Sequence, residues 1–547
     1  MNWNKLLCRY GILLGLLISS CKQSDYLLVE VDAKQSGILF ENQLEDTQEL
    51  SILDYMYFYN GGGVAVGDIN NDGLQDVYFI SNQNENKLYL NQGNLRFNDI
   101  TDQAQVAGKS DWNTGVSMVD INNDGWLDIY VCAVTGINGF KGYNELFVNQ
   151  QDGTFKEQAS QYGLAIQNYS VSPAFFDYDH DGDLDLYLLN HGMHATSSYT
   201  NIQKTNIRND MSTDKLFRND NGNYVDVSEE ANLKMDRIGY GLAVNVADIN
   251  QDGWDDLYIS NDFFEGDLLY LNQQDGTFKE VAKTSLSHTS QFSMGNDIAD
   301  LNHDSFPEII SLDMLPEEEK ILKSSTLNFS VNLLNLKRSL GYLDQFPRNH
   351  LQYNTGRGKF LEIAQFSGVA ATDWSWSALF SDLNLDGYQD LFVSNGIYRR
   401  PNDADYIKYV SSEEIQNKMN LTKLMDNEAL AKMPSGAVPN YVYQGIGELK
   451  FQDQSSTWVK NQPSISNGTA MADFDLDGDI DLVLNNFNTQ ATLYENKANE
   501  RGNNYLHLKF EGDSLNTHGI GAKAYVYTTK HTQYKQVHLT RGFQSSM

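Results

Sequence analysis

One pattern of nine residues recurs seven times along the chain and constrains its fold more than any other feature. The first copy is Asp68-Ile-Asn-Asn-Asp-Gly-Leu-Gln-Asp76, with oxygen-bearing side chains at positions 1, 3, 5 and 9 and glycine at position 6. The later copies begin at Asp120, Asp177, Asp248, Asp300, Asp382 and Asp473. This spacing is typical of the first part of a calcium-binding loop. The chain therefore repeats one structural unit. Because a repeat fold can be longer than an ordinary domain, the length of 547 residues does not by itself give the number of domains.

The expected metal ligands in each copy are the side-chain oxygens at positions 1, 3, 5 and 9 and the backbone carbonyl at position 7. These residues are Asp68, Asn70, Asp72, Leu74 and Asp76; Asp120, Asn122, Asp124, Trp126 and Asp128; Asp177, Asp179, Asp181, Asp183 and Asp185; Asp248, Asn250, Asp252, Trp254 and Asp256; Asp300, Asn302, Asp304 and Glu308; Asp382, Asn384, Asp386, Tyr388 and Asp390; and Asp473, Asp475, Asp477, Asp479 and Asp481. Because hard oxygen ligands in a flexible loop select Ca²⁺ over Zn²⁺ or Cu²⁺, we expect about six or seven Ca²⁺ sites.

A second interpretation of each copy is an Asp/Asn turn that caps its own backbone. For a single copy the two interpretations are comparable, but seven copies in register favour calcium for most of them. The copy at Asp300 has Ser305 where the others have glycine, the residue that tolerates positive φ. We expect weak Ca²⁺ binding or none at that copy.

The residue five positions before the first Asp is small in every copy, as expected of strands that converge on a narrow axis. These residues are Gly63, Gly115, Ser172, Ala243, Gly295, Ser377 and Gly468. An apolar strand follows each loop, and a Leu-aromatic-x-Asn strand such as Leu88–Asn91 leads to a further strand around Phe. Four short strands per unit over residues 39–496 predict an all-β, seven-bladed β-propeller.

Three insertions, at about 191–213, 314–346 and 397–439, interrupt the repeat after the second strand of a blade. The second and third have acidic starts and helical periodicity. The Asp loops join strands one and two, so the insertions are expected on the opposite face of the propeller. That face is the expected ligand face.

Aromatic residues stand eight positions before the first Asp in five copies, at the expected start of the innermost strand. They are Trp112, Tyr169, Tyr240, Phe292 and Trp374, with Asn60 and Ile465 in the other two copies. One interpretation, which we favour, is packing between blades; the other is a ring around the axial mouth that stacks on sugars or grips a peptide. Trp376, His191 and Asp262 are expected on the same face.

The two ends of the chain differ from the repeat. Residues 1–20 carry Lys5, Arg9 and a short apolar run, the layout of a secretory signal, and the sequence Ser-Ser-Cys21 resembles the site at which a lipoprotein signal is cut and the cysteine is lipidated. An ordinary signal peptide is the alternative. Residues 21–38 are expected to be a tether. Residues 503–547 alternate like strands and are expected to begin a second β domain that continues beyond the sequence.

Composition limits the partners and the chemistry. The formal net charge of −34 argues against nucleic acid and against an anionic membrane surface, which leaves a lipid anchor as the expected membrane contact. We find no Gly-x-Ser-x-Gly, His-Glu-x-x-His or phosphate-binding glycine motif. His191 and His194 near Asp262 are candidates for an acid/base or metal cluster, although histidines at a loop start are more often solvated polar residues.

Residues 39–496, with their Asp loops, small-residue column and Leu-aromatic-x-Asn strands, resemble the FG-GAP and VCBS repeat propellers, a class that includes integrin α-subunit heads. The segment Tyr57–Asp68 is similar to surface lipoproteins of Bacteroidetes-type bacteria. The segments Asn504-Tyr-Leu-His-Leu and Arg541-Gly-Phe-Gln-Ser resemble the start of the ASPIC and UnbV domain. The resemblance implies a calcium-stabilised propeller and an extracellular location, without implying a single activity.

The sequence thus predicts an outer-membrane or cell-surface lipoprotein whose insertion-bearing face binds an extracellular glycan or protein. Two alternatives stay open at this point. One is a polysaccharide-active propeller enzyme, a lyase or hydrolase, motivated by the His191, His194 and Asp262 group. The other is a scaffold subunit of an outer-membrane complex.

Overall fold

A computed structural model describes residues 26–547 except 48, 194–209, 236–238, 264, 326–330, 414, 416–423, 461 and 513–514. Seven antiparallel sheets follow one another along the chain and form a seven-bladed β-propeller, which confirms the predicted fold class. Strand one of each blade is innermost and strand four outermost. The predicted signal peptide, Cys21 and His194 lie outside the described residues.

The blades are numbered in chain order. Blade one consists of Val64–Gly67, Asp76–Phe79, Lys87–Asn91 and Phe97–Asp99; blade two of Asn113–Val119, Asp128–Ala133, Glu145–Asn149 and Phe155–Glu157; blade three of Ser170–Phe176, Asp185–Asn190, Lys215–Asn219 and Tyr224–Asp226; blade four of Gly241–Ala247, Asp256–Asn261, Leu268–Asn272 and Phe278–Glu280. Blade five consists of Asn296–Ala299, Glu308–Ser311, His350–Asn354 and Phe360–Glu362; blade six of Ser375–Ser381, Asp390–Asn395, Tyr441–Gly445 and Phe451–Asp453; blade seven of Ser466–Ala472, Asp481–Asn486 and Thr492–Asn496, completed by Leu28–Glu30.

The small-residue column marks where the inner strands crowd the axis. A Cβ atom added to Gly63 would lie 1.8 Å from the carbonyl oxygen of Gln544, and one added to Gly295 would lie 1.9 Å from that of Trp376. No side chain fits at such distances. Strand two is enclosed by neighbouring blades, and every residue of Asp185–Asn190 is buried. Both observations agree with the sequence pattern.

The segment 21–38 is not simply a tether, which corrects the prediction. Leu28–Glu30 pairs antiparallel with Thr492–Asn496 as the outermost strand of blade seven. Leu27 and Leu28 are fully buried in a cluster that includes Trp458. The physical reason is that, among the described residues, no strand after Asn496 joins blade seven, so an N-terminal apolar strand closes the ring. A one-turn helix, Ala33–Ser36, follows, capped by Asp32.

The insertions leave after strand two, on the face opposite the Asp loops, as predicted; we call these the insertion face and the Asp-loop face. The second insertion contains helices Glu319–Ser324 and Val331–Ser339 and strand Asp344–Phe346, which pairs parallel with His288–Ser290. The third contains the paired strands Ile397–Arg399 and Ser435–Gly436 and helices Ala404–Val410 and Leu424–Lys432. Single-turn helices follow strand four in four blades: Thr101–Ala104, Ala159–Tyr162, Ala282–Ser285 and Ala364–Ser367. Among the described helices, none is long and apolar enough to cross a membrane.

The C-terminal segment packs on the Asp-loop face. After a 3₁₀ turn at Asn499–Arg501, strands Lys523–Tyr527 and Thr532–Gln536 form a hairpin over the loops. The side-chain amide of Asn503 donates to the carbonyl oxygen of Asn384 at 3.0 Å. The predicted second β domain is therefore, over its described residues, an extension of the propeller surface.

A second hairpin, Thr540–Arg541 with Ser545–Ser546, enters the axial channel from the Asp-loop face. Ser546 pairs parallel with Ala65 of blade one, and the carbonyl oxygen of Gln544 accepts from the N–H of Val116 in blade two at 3.2 Å. Phe543, at the tip of the hairpin, is fully buried. We call residues 540–546 the axial hairpin; it fills the narrow centre that the small-residue column leaves.

Candidate ligand-binding site

A cavity of about 360 Å³ opens at the axis on the insertion face. Its walls come from four parts of the chain: segment 52–60, the starts of the inner strands of blades four to six, the residues that follow strand two of blades four and five, and the third insertion. The lining is mainly apolar and aromatic, including Phe292, Met314, Trp374, Trp376 and Tyr406. The propeller geometry assembles it, because the inner strands of successive blades all begin at this mouth.

Two polar groups at the cavity stand out. Asp262 is 5% exposed, and its Oδ1 accepts the N–H of Phe263 at 2.8 Å. Burial raises the pKa of Asp262 well above its usual range, and the nearby charge of Asp313 raises it further. The indole Nε1 of Trp374 is buried and has no hydrogen-bond partner among the described residues. The cavity therefore offers one donor that needs an acceptor, the indole N–H of Trp374, beside a buried carboxyl group to which Phe263 and Tyr57 already hydrogen-bond.

The aromatic positions singled out in the sequence divide between packing and the cavity. Trp112 is buried and stacks on Phe140 at 5.1 Å, and Tyr240 is fully buried. Tyr169 lies beside the ring of His191 at 6.0 Å. These three pack between elements, whereas Phe292, Trp374 and Trp376 line the cavity. Trp376 is also held by its indole N–H, which donates to the carbonyl oxygen of Gly396 at 2.6 Å.

His191 is a buried structural residue in this fold. Its Nε2 is 2.8 Å from the hydroxyl of Tyr55, and its Nδ1 is 3.1 Å from the carbonyl oxygen of Gly192. Burial lowers the pKa of His191 to about 4, so the ring is neutral at pH 7. Because both ring nitrogens are engaged, the geometry does not give His191 the free nitrogen that an acid/base role with Asp262 needs.

On the opposite face, position 9 of six of the seven Asp loops ties the loop to strand three of the same blade. In blade two, Asp128 accepts the N–H groups of Ile121 at 3.1 Å and Asn149 at 2.7 Å. The same pair of bonds is made by Asp76, Asp185, Asp256, Asp390 and Asp481. Burial raises the pKa of Asp128 to about 8 and that of Asp185 to about 9. A cation in the loop would offset the cost of ionising these carboxyl groups.

The Asn of the Leu-aromatic-x-Asn strand joins neighbouring blades, a role that the sequence pattern did not disclose. Asn149 of blade two donates from its side-chain amide to the carbonyl oxygen of Ile69 in the loop of blade one at 2.8 Å. The equivalent bonds to the preceding blade are made by Asn91, Asn272, Asn354 and Asn496. The repeated Asn after an apolar strand was the available signal.

The Asp loops differ in how well they fit a metal. In the loops at Asp177 and Asp473, position 3 is Asp179 or Asp475, and the carboxylates at positions 1, 3 and 9 each bring an oxygen within 4.8 Å of the others. Oδ1 of Asp177 and Oδ1 of Asp475 are buried without a hydrogen-bond partner among the described residues. Unpaired buried carboxylate oxygens are the donors that Ca²⁺ binds, so these two loops fit the ion.

The other five loops have Asn at position 3 and satisfy more of their own hydrogen bonds. In the first loop, Asp68 accepts the N–H groups of Asp72 and Gly73, and the amide of Asn70 donates to Asp72 at 2.9 Å. This is the self-capped turn that was the second interpretation of the motif. The loop at Asp300 keeps the same conformation, with Ser305 at φ 72° in the place of glycine.

The C-terminal segment contacts two of these five loops at position 1. Lys523 Nζ lies 2.6 Å from Oδ2 of Asp248, and the Thr517 hydroxyl donates to Oδ2 of Asp120 at 2.5 Å. The lysine ammonium partly neutralises the loop of blade four. The seven loops are therefore not equivalent, although their sequences are similar.

Comparison with known proteins supports the repeat assignment. The FG-GAP-like repeat family matches residues 41–131, 133–188 and 248–311, and the ASPIC and UnbV family matches residues 512–547. The resemblance drawn from the sequence is confirmed for these two elements. The matches cover repeats in blades one to five and the segment that carries both C-terminal hairpins.

Similar sequences include cartilage acidic protein 1 of Mus musculus, 22% identical over 450 residues, which cover 76% of this chain and 64% of that protein. The chain is also similar to integrin alpha-3 of Mus musculus, 24% identical over 233 residues, which cover 39% of this chain and 21% of that protein. The chain spans less than two thirds of the length of these relatives. Among solved structures, a lectin of Agrocybe aegerita, described as recognising non-reducing terminal N-acetylglucosamine, aligns with a TM-score of 0.39 and 14% identity over 77% of this chain and 88% of that one.

Proposed function

We propose that this chain, a propeller of FG-GAP-like repeats that carries an ASPIC and UnbV segment, is a binding protein that holds its ligand in the axial cavity of the insertion face. The observation that carries the proposal is the cavity itself, which combines apolar walls with the buried carboxyl group of Asp262 and an indole N–H of Trp374 that has no acceptor among the described residues. Ligand pockets are commonly built this way, with a largely apolar lining and a few oriented polar groups.

The lining favours an apolar or aromatic group of a protein ligand. Phe292, Trp374 and Trp376 offer ring faces and edges, and Met314 adapts to irregular shapes. A hydrogen-bond acceptor on the ligand would satisfy the indole N–H of Trp374. A side chain from a partner protein or peptide supplies both features, and the helical insertions around the mouth supply the wider contact surface.

A glycan is the second candidate, favoured by a different surface. A polar groove of about 780 Å³ runs between blades one and two and is lined by Glu41, Lys87, Asp99, Lys109 and Asp111 among others. Closely spaced charged and amide groups suit the hydroxyls of a saccharide better than an apolar side chain. Catalysis on a polysaccharide has less support, because both ring nitrogens of His191 are engaged.

The proposal includes Ca²⁺ and a lipid anchor. The loops at Asp177 and Asp473 would hold Ca²⁺ through their carboxylates, and the ion would neutralise buried charge and join each loop to its blade. Cys21 would carry the lipid that places the protein at the outer membrane or cell surface. Support for the calcium is the set of unpaired loop oxygens, and support for the anchor is the Ser-Ser-Cys sequence after an apolar run.

Parallel peptide and glycan arrays test the proposed function. Met56 lines the cavity and is 44% exposed, so Met56→Arg places a charge at the mouth; Leu361→Arg, at a residue 55% exposed on blade five, is the matched control. We expect peptide ligands that bind the unchanged chain and Leu361→Arg and that lose at least about tenfold in affinity for Met56→Arg. Equal binding by all three proteins would contradict the cavity site. Glycan binding that is lost with Lys109→Glu would favour the polar groove as the ligand site. Capture of a stable membrane complex, with binding of neither peptide nor glycan, would favour a scaffold function.

A further inference from the structure

A cluster of two histidines and a glutamate lies outside both the cavity and the Asp loops. His288 belongs to the connection between blades four and five, His350 begins strand three of blade five, and Glu362 ends strand four. One ligand atom from each lies within 4.8 Å of the other two. His350 is fully buried, and the Glu362 side chain is only 4% exposed. Three separate segments thus bring three metal-binding side chains to one point.

Hydrogen bonds orient the rings so that an Nε2 lone pair faces the cluster. Nδ1 of His350 lies 2.8 Å from the carbonyl oxygen of Arg348, and a carbonyl only accepts, so the proton of His350 is on Nδ1. Its Nε2 is buried without a hydrogen-bond partner among the described residues. In His288, Nδ1 lies 2.9 Å from the Ser287 hydroxyl, which leaves Nε2 toward Glu362. Metal-binding histidines are oriented in this way by a partner on the other nitrogen.

The spacing agrees with a tetrahedral ion of the zinc class. Nε2 of His288 lies 3.4 Å from Oε2 of Glu362. Metal–ligand bonds of about 2.0–2.2 Å at a tetrahedral angle place neighbouring ligand atoms about 3.4 Å apart. The other oxygen, Oε1 of Glu362, accepts the N–H of Ala364 at 2.7 Å and so fixes the carboxylate. Two imidazoles with one carboxylate select Zn²⁺ or a similar ion over Ca²⁺.

The guanidinium of Arg348 is the group that a metal would have to displace. It donates to Oε2 of Glu362, and its Nη2 lies 3.2 Å from Nε2 of His288. The Arg348 side chain is 17% exposed and lies over the ring of Phe346 at the edge of the blade. An outward rotation would free the carboxylate. Asp344, which is paired with Arg338, is the other charge on this side of the cluster.

We propose that His288, His350 and Glu362 form a site for one divalent ion of the zinc class, and that Arg348 competes with the ion for Glu362. The carboxylate is neutralised either by the arginine or by the metal. Since His288–Ser290 pairs with Asp344–Phe346, the ion would fasten the base of the second insertion to blade five. This inference does not depend on the proposed ligand cavity.

Cobalt(II), a coloured stand-in for zinc, tests the proposal in the full chain with excess Ca²⁺ present to fill the oxygen-only loops. We expect visible absorption typical of four- or five-coordinate cobalt with nitrogen ligands, abolished by Zn²⁺. Arg348→Gln should raise the cobalt affinity by about tenfold or more, because it removes a positive charge within about 4 Å of the ion. His288→Gln and His350→Gln should each abolish the band.

Variants and controls separate loss of the site from loss of the fold. His288 is partly exposed, so His288→Gln is the safer substitution if His350→Gln does not fold. Near-ultraviolet circular dichroism reports whether each variant is folded. His507→Gln, at an exposed histidine elsewhere, should leave the band unchanged. The proposal is overturned if neither the unchanged chain nor Arg348→Gln shows the band, or if a folded His288→Gln retains it.

Discussion

The ring of Phe543 lies 5.1 Å from the ring of Trp376 on the axis of the propeller. Phe543 reaches this point from the Asp-loop face at the tip of the axial hairpin, whereas Trp376 lines the cavity of the insertion face. The two faces of the molecule therefore meet at one aromatic contact. The C-terminal segment therefore packs against the proposed ligand site from the side of the Asp-loop face.

Replacement of Phe543 by alanine is expected to destabilise the fold by about 3–5 kcal/mol, because it leaves a cavity among fully buried neighbours. It should also weaken ligand binding by loosening Trp376. Chemical denaturation gives the free energy of unfolding. Tyr527→Ala, at a residue 79% exposed in the same segment, is the control and should change stability little. Equal stabilities of the two variants would show that the axial hairpin does not contribute to the fold.

Loss of the amide of Asn149 is expected to weaken the junction between blades one and two. Asn149→Ala leaves the carbonyl oxygen of Ile69 without that donor, at a cost of about 1–3 kcal/mol. Asn98→Ala, on an exposed position of blade one, is the control. In blade six the same position is Gly445, where an added Cβ would lie 2.2 Å from the carbonyl oxygen of Gln389. Gly445→Asn should therefore destabilise, and a stabilising result would refute the steric argument.

Calcium removal is expected to lower the melting temperature, since Ca²⁺ bound only by the folded chain stabilises it by about 2.7 kcal/mol per site at a concentration of about 100 Kd. The tightest sites should be the loops at Asp177 and Asp473. Asp179→Asn with Asp475→Asn gives both loops the Asn found in the other five, and calorimetry should then show two fewer tight sites. An identical melting temperature in excess chelator would show that Ca²⁺ does not stabilise the fold.

The contribution of His191 to stability should rise with pH between about 4 and 6.5, because its imidazole is buried and neutral in the folded chain. Burial lowers the pKa of His191 to about 4 in the folded chain, while the unfolded chain binds the proton near 6.5. The unfolded state therefore binds more protons in this range, and acid favours it by up to about 3 kcal/mol for this residue. His191→Gln should reduce the slope of unfolding free energy against pH. His507→Gln, at an exposed position, should not; equal slopes in both variants would contradict the assignment.

The repeat made most of the fold predictable. The blade number, the strand order and the two faces follow from three features of the sequence. These are position 6 of the Asp loop, the small residue at Gly63 and its equivalents, and the spacing of the insertions. These features are local and recur seven times, so each copy checks the others. The N-terminal strand at Leu28 escaped prediction because its partner near Asn496 is distant in sequence and the strand has no repeat to align with.

The candidate site was predicted only in part. The sequence placed Phe292, Trp374, Trp376 and Asp262 at one mouth, because all four follow from strand register. Packing was the favoured interpretation for all five aromatic positions, and the sequence did not show which of them line the cavity instead, since the packing of Trp112 depends on Phe140 in a connecting loop. The burial of His191 and the axial hairpin likewise depend on contacts between distant segments, which periodicity does not encode.

The most direct test of the proposed ligand face uses fluorine NMR of the chain labelled with 5-fluorotryptophan. Trp374 and Trp376 line the cavity, whereas Trp126 and Trp254 belong to loops on the Asp-loop face. The peptide that binds best on the array is added to the labelled chain, and each resonance is assigned by single Trp→Phe substitution. If the ligand binds in the axial cavity, the resonances of Trp374 and Trp376 shift while those of Trp126 and Trp254 stay in place. Shifts confined to Trp126 and Trp254 would contradict binding in the cavity.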